Sequence, residues 1–186
     1  MSEKIILKSI KKHNDVLESL DKDNILKAAE EIIKRLRNGK KIFWCGNGGS
    51  ASQANHLSAE LVGGMYQKKI KPFQSICLNV DTAFITAWSN DDSFDNIFVR
   101  QLEALGDNDD VLILLSTSGN SKNIINAIQC AHSKGIRFIS LTGNNGGAAK
   151  KLGGININVK TDDTQRIQEM HILIGHIICD LVEKSL

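Results

Sequence analysis

Val111 to Leu115 is an unbroken run of five apolar residues, and it leads straight into Ser116-Thr117-Ser118-Gly119-Asn120-Ser121 and then a helical pattern. A strand that is apolar on both faces must be covered on both, as in a parallel sheet between two helix layers. The turn that follows, built from glycine and hydroxyl residues, supplies the strand-to-helix reversal of an α/β unit. The unit recurs along the chain. Lys41 to Cys45 is a short apolar run ending in Gly46-Asn47-Gly48-Gly49-Ser50, followed by a helical pattern from Ser50 to Val62. Phe73 to Leu78 predicts a second strand, then an irregular or helical stretch through Trp88 and a helix near Phe94 to Leu105. The helix after Ser121 ends near Gly135, and Ile136 to Leu141 predicts a fourth strand. A loop over Gly143 to Gly147, a fifth strand over Ile155 to Val159 and a long helix from Thr164 to about Glu183 complete the chain.

The first 40 residues read as helix throughout. Ile5, Ile6, Ile10, Val16 and Leu17, then Ile25, Ala28, Ile32, Ile33 and Leu36, recur at helical spacing before an Asn38-Gly39 stop. The expected architecture is a three-layer α/β fold: a five-stranded parallel sheet flanked by helices, with extra N-terminal helices and a long C-terminal helix. With one proline and no low-complexity linker in 186 residues, a single domain over 1–186 is expected.

Composition narrows the function. A formal net charge of +2 leaves no electrostatic footprint for nucleic acid or an anionic membrane, and the 23 basic residues are scattered. The small cluster Lys68, Lys69 and Lys71 reads as a solvated face. No apolar run approaches the length of a membrane span, and the charged N-terminus lacks the apolar stretch of a signal peptide. Cys45, Cys77, Cys130 and Cys179 lie far apart among apolar neighbours, which predicts buried free thiols and a cytoplasmic protein.

The chemistry gathers at two loops, Gly46 to Ser50 and Ser116 to Ser121, each at the carboxyl end of a predicted strand and the start of a helix. Ligands of open α/β sheets bind there, and the unpaired N–H groups of a helix N-terminus suit a phosphate. The second loop has no lysine in the register of a nucleotide P-loop, and the first lacks the GxGxxG register and the acidic partner of a dinucleotide site. Either loop alone also fits a plain turn and cap; two in one sheet favour a phosphorylated ligand. His56 and Glu60 share a face of the helix after the first loop. Gln168 and His176, eight residues apart on the last helix, lie about 80° apart around its axis. Both can look into one cleft, whereas His171 falls on another side and reads as structural. A carboxylate facing an imidazole suits acid–base chemistry, and His, Glu and His, with Gln168 as a weaker oxygen donor, also suit a metal. An ordinary surface pair at His56 and Glu60, and a helix-face histidine at His176, fit the same residues.

Four segments, GNGGSASQANHLSAEL (46–61), LSTSGNSKNIINAI (115–128), SLTGNNGG (140–147) and RIQEMHILIGHIICDLVE (166–183), resemble the bacterial phosphoheptose isomerases of the SIS (sugar isomerase) fold. The resemblance runs over essentially the whole chain. It implies a five-stranded parallel SIS sheet, a homotetramer with active sites at subunit interfaces, and N-terminal helices (1–40) that pack on the core and on other subunits. The implied reaction converts sedoheptulose 7-phosphate to D-glycero-D-manno-heptose 7-phosphate, for lipopolysaccharide, capsule or another surface glycan. The implied metal is one divalent ion per subunit, zinc, at His56, Glu60, Gln168 and His176. The implied substrate contacts are Asn47, Gly48, Gly49, Ser50, Glu60, Asn90, Asp91, Ser116, Thr117, Ser118, Ser121 and Gln168. Glu60 is expected as the base that takes the carbon proton and His176 as the acid, the reverse assignment staying open. Two positions depart from the pattern: Gly64 stands where the family often has arginine, and Ser89 replaces a glycine before Asn90-Asp91. The alternatives are a non-catalytic SIS protein that binds a replication initiator, and an isomerase of another phosphosugar.

Overall fold

Five strands form one sheet in the order β2-β1-β3-β4-β5, with every neighbouring pair parallel. They are β1 (Ile42–Gly46), β2 (Ser75–Cys77), β3 (Val111–Ser116), β4 (Arg137–Gly143) and β5 (Ile155–Val159). The structure is a computed structural model and describes residues 2–66 and 71–186; Lys68 and Lys69 of the basic cluster lie outside the described residues, and Lys71 is exposed.

Alternation along the strands builds two cores. Ile42, Trp44, Val111, Ile113, Leu115, Ile139, Leu141, Ile157 and Val159 face α2 (Lys22–Arg37), α3 (Gly49–Gly63) and α8 (Thr164–Ser185). Phe43, Cys45, Leu112, Leu114 and Phe138 face α5 (Ile97–Leu105), α6 (Lys122–Ser133) and α7 (Gly147–Lys151). Each fully buried side chain of this size contributes roughly 1.5–3 kcal/mol relative to exposure, so the doubly covered central strands anchor the fold. This is the three-layer arrangement that the apolar strands predict.

The expected N-terminal helices are α1 (Ser2–Leu17) and α2, the second starting where the Asp21 carboxylate accepts the Asn24 N–H at 3.0 Å. Departures elsewhere have local causes. β2 is shorter than predicted, yet its hydrogen bonding continues on both sides through Ile42 N to Gln74 O and Leu78 N to Trp44 O. The Gly143–Gly147 loop closes into α7, five residues long and too brief to carry a periodic signal. α1 keeps the predicted spacing, but Ile5, Ile6, Leu7 and Ile10 are each more than half exposed and none of its residues is buried. It lies along α8 through polar contacts: Lys12 to Asp163 at 3.1 Å, His13 to Glu169 at 2.7 Å, and Arg166 to the Ser9 carbonyl at 2.6 Å. All four cysteines are free; Cys45, Cys77 and Cys179 are buried and Cys130 is partly so. Among the described residues, no helix is long and apolar enough to cross a membrane.

Candidate active site

β1 and β3 are neighbours, but the chain leaves β1 toward β2 on one side and leaves β3 toward β4 on the other. Their carboxyl ends therefore flank the switch point of the sheet, where open α/β folds bind ligands. Both predicted loops sit here, with Gly46 in register with Leu115.

The two helices that start at this point are left without side-chain caps. α2, α4 (Thr82–Asp91) and α8 each begin on an aspartate whose carboxylate accepts a first-turn N–H. α3 begins on Gly48 and α6 on Ser121, and neither residue makes a side-chain cap bond. Their first turns present positive dipole ends to an anion, although in α6 the Ile124 N–H is already taken by Asn123 Oδ1 at 2.9 Å and in α3 the Ser50 N–H by the Asn47 carbonyl at 3.0 Å. Within the second loop, Ser116 Oγ accepts Gly119 N at 3.1 Å and Ser118 Oγ accepts Asn120 N at 3.2 Å, so these hydroxyls brace the turn and still have a proton to donate. Thr117 is held through its carbonyl, which accepts Gly143 N at 3.1 Å. A cavity of about 290 Å³ opens beside this loop, lined by Thr117, Ser118, Asn120, Asn144, Asp162 and Thr164 among others.

The first loop is tied down from two sides by asparagines that sequence reasoning passed over. Asn79 bonds both backbone groups of Gly46, accepting its N–H at 3.1 Å and donating to its carbonyl at 2.9 Å. Asn123, buried at the start of α6, exchanges two hydrogen bonds of 2.9 Å with Asn47. Neither tie has a local sign in the sequence, because each links segments far apart in the chain. Ser50 is buried in the first turn of α3, while Gly48 and Gly49 are exposed. Asn90 and Asp91 close α4, exposed and bonded to each other at 2.9 Å. The Ser89 hydroxyl beside them is buried with no partner among the described residues.

α3 and α8 run parallel and in step. The Gln168 amide lies over Gly49, Gln53 Nε2 donates to the Gln168 carbonyl at 2.7 Å, and Gly175 meets Leu57. A side chain at Gly175 would run into the buried Leu57, so glycine here lets the helix axes approach closely. That approach brings His176 onto His56, with their Nε2 atoms 2.8 Å apart and their rings edge to face, while Glu60 Oε1 lies 3.3 Å from His56 Nε2. Ligand atoms of His56, Glu60 and His176 all fall within 4.8 Å of one another. Gln168 faces the same helix as His176, but about 12 Å earlier along the α8 axis, at the loop end of the seam. Two imidazole nitrogens and a carboxylate oxygen converging from two helices are the donor set that zinc favours. Cys179, one turn beyond His176, is no part of it: burial, then the carboxylates of Glu60 and Glu183, push its thiol up to about 12. His171 is buried on another side of α8, with Nε2 3.2 Å from the Thr142 carbonyl.

Beyond α3 the chain turns through Gly64, at φ +78°, and the N–H groups of Met65 and Tyr66 donate to the buried Glu183 carboxylate at 2.6 and 3.0 Å. Position 64 thus supplies backbone geometry and no cation.

The family model of the SIS domain matches residues 7–143. Phosphoheptose isomerase of Sulfurimonas denitrificans is 45% identical, over 98% of this chain and 96% of its own length. That of Helicobacter pylori is 44% identical over 99% and 97%. Among solved structures, a phosphoheptose isomerase from Francisella tularensis superposes with a TM-score of 0.95 at 34% identity, covering 99% of both chains. One from Neisseria gonorrhoeae gives 0.93 at 35% identity, covering 99% of this chain and all of the other.

Proposed function

The chain belongs to the SIS-domain phosphoheptose isomerases, and on that footing we propose that it converts sedoheptulose 7-phosphate to D-glycero-D-manno-heptose 7-phosphate. The observation that carries the chemistry is the meeting of His56, Glu60 and His176 across the α3–α8 seam. Isomerisation moves one proton from C1 to C2 through an enediol and a second between the two oxygens. Glu60 takes the carbon proton: its Oε1 faces His56, leaving Oε2 for the substrate. His176 serves the oxygens as the complementary acid. The uncapped starts of α3 and α6, with the hydroxyls of Ser116, Thr117, Ser118 and Ser121, hold the phosphate, so binding energy remote from C1 and C2 orients them. Asn47, Gly48, Gly49, Ser50, Asn90, Asp91 and Gln168 complete the substrate set. His56, Glu60 and His176 would hold a divalent metal, zinc, whereas the Gln168 amide, expected as a fourth donor, lies over Gly49 at the loop end of the seam and apart from these three. When bound, the metal polarises the carbonyl and hydroxyl oxygens of the sugar.

The assembly is a homotetramer with interfacial sites, and the exposed apolar stripe of α1 supports it. The free thiols fit a cytoplasmic enzyme feeding lipopolysaccharide or capsule heptose. A panel of ketose and aldose phosphates, run after chelation and after zinc is restored, tests the reading. The heptulose phosphate is expected to turn over best and only with metal present; preference for another phosphosugar overturns the substrate, and full activity after chelation overturns the metal.

A further inference from the structure

Asn47 and Asn123 stand 76 residues apart in sequence and form a closed ring of two hydrogen bonds. Nδ2 of Asn47 donates to Oδ1 of Asn123, and Nδ2 of Asn123 donates to Oδ1 of Asn47, each at 2.9 Å. The ring joins the loop after β1 to the first turn of α6, across the switch point. Its direction is fixed by a third bond: the Ile124 N–H donates to Asn123 Oδ1 at 2.9 Å. A backbone N–H can only donate, so that end of the Asn123 amide must be its oxygen. The Asn47 atom facing the same oxygen must then be its NH₂. The Ile124 backbone therefore dictates, through Asn123, which way round the Asn47 amide stands.

Asn123 is 2% exposed, so it touches no substrate itself, whereas Asn47 is only half-buried. The ring consumes one N–H and one lone pair of Asn47, leaving one of each for a ligand. We propose that Asn123 is a positioning residue for the isomerase: it locks the amide of Asn47 in a single orientation, so that a donor and an acceptor meet the sugar hydroxyls in a fixed order. The proposal rests on the isomerase reading. It differs from a merely structural tie because it depends on the sense of the amide and not only on its volume.

Asn123→Asp tests that sense. The carboxylate keeps the shape and still accepts from Ile124 and from Asn47 Nδ2, but its other oxygen faces Asn47 Oδ1, acceptor against acceptor. The folded variant is expected to lose kcat/KM on the order of 100-fold, the scale of a misplaced contact group. In a double-mutant cycle, adding Asn123→Ala to Asn47→Ala is expected to cost less than about threefold more. If Asn123→Asp does not fold, Asn123→Ser, which keeps an acceptor for Ile124, takes its place with the same expectation. Wild-type kcat/KM in the position-123 variants, or losses that multiply in the double variant, overturn the proposal. An inactive wild type would instead overturn the isomerase reading, and the tie is then judged by NMR. The Asn47 side-chain amide protons are expected to exchange slowly in the wild type and freely in Asn123→Ala. Free exchange in the wild type, or slow exchange in the variant, overturns the tie.

Discussion

His171 shows how a single side chain can be read from its surroundings. It is fully buried on α8 with Nε2 beside the Thr142 carbonyl, so Nε2 carries the proton and Nδ1 is a bare nitrogen with no partner among the described residues. Burial, against a smaller opposing pull from the Thr142 carbonyl, drops its pKa from 6.5 to about 4. The unfolded chain takes up this proton below pH 6.5 and the folded chain only near pH 4. The ring therefore costs nothing above pH 6.5 and destabilises progressively between 6.5 and 4, by on the order of 3 kcal/mol at the bottom of that window. Denaturant midpoints measured at pH 7 and pH 4.5 should show a steeper acid loss in the wild type than in His171→Gln. Equal slopes would mean that the ring is protonated or solvated in the fold.

At the scale of elements, the α3–α8 seam decides whether the site exists. Gly175 sets the approach, and Gly175→Ala drives a methyl into the side chain of the fully buried Leu57, which must shift to admit it. Overpacking of this kind costs about 1–3 kcal/mol, against about 1 kcal/mol gained from alanine's helix preference. A modest fall in Tm is expected, with a loss of affinity for the proposed zinc of about tenfold or more, the scale of losing a support of a ligand. Calorimetric zinc titration checks it, and unchanged affinity would show that the seam tolerates separation.

The same elements mark what was legible in the sequence. β3 is legible because a short run of five apolar residues bounded by glycine and hydroxyl turn residues suits a strand covered on both faces, and the two loops follow from glycine and serine at strand ends. The eight-residue spacing of Gln168 and His176 gives the correct common side of α8, since the helical angle is local geometry. It does not give the partner of each on α3, because that depends on the parallel packing of two helices more than 100 residues apart. Asn79, Asn123 and Glu183 were invisible for the same reason: each acts through a hydrogen bond to a distant backbone or amide. The exact break before Asp21 has a local sign in the aspartate itself, a residue suited to start a helix.

For the whole molecule, α1 is the informative part. Polar contacts hold it along α8 while Ile5, Ile6, Leu7 and Ile10 remain exposed, a stripe that association would cover. Ile6→Glu with Ile10→Glu is expected to shift sedimentation from the proposed tetramer to smaller species and to lower turnover, since the proposed sites lie between subunits. A variant that sediments as the wild type would remove α1 from the assembly. The fold, the switch-point loops and the α3–α8 seam converge on one claim, that Glu60 and His176 move the protons of a heptulose phosphate. Turnover of sedoheptulose 7-phosphate by the wild type, Glu60→Gln and His176→Gln, followed by NMR detection of the aldose, tests it most directly. Conversion by the wild type and a loss of about 100-fold or more in each variant is the predicted result; near-wild-type turnover in both variants would contradict it.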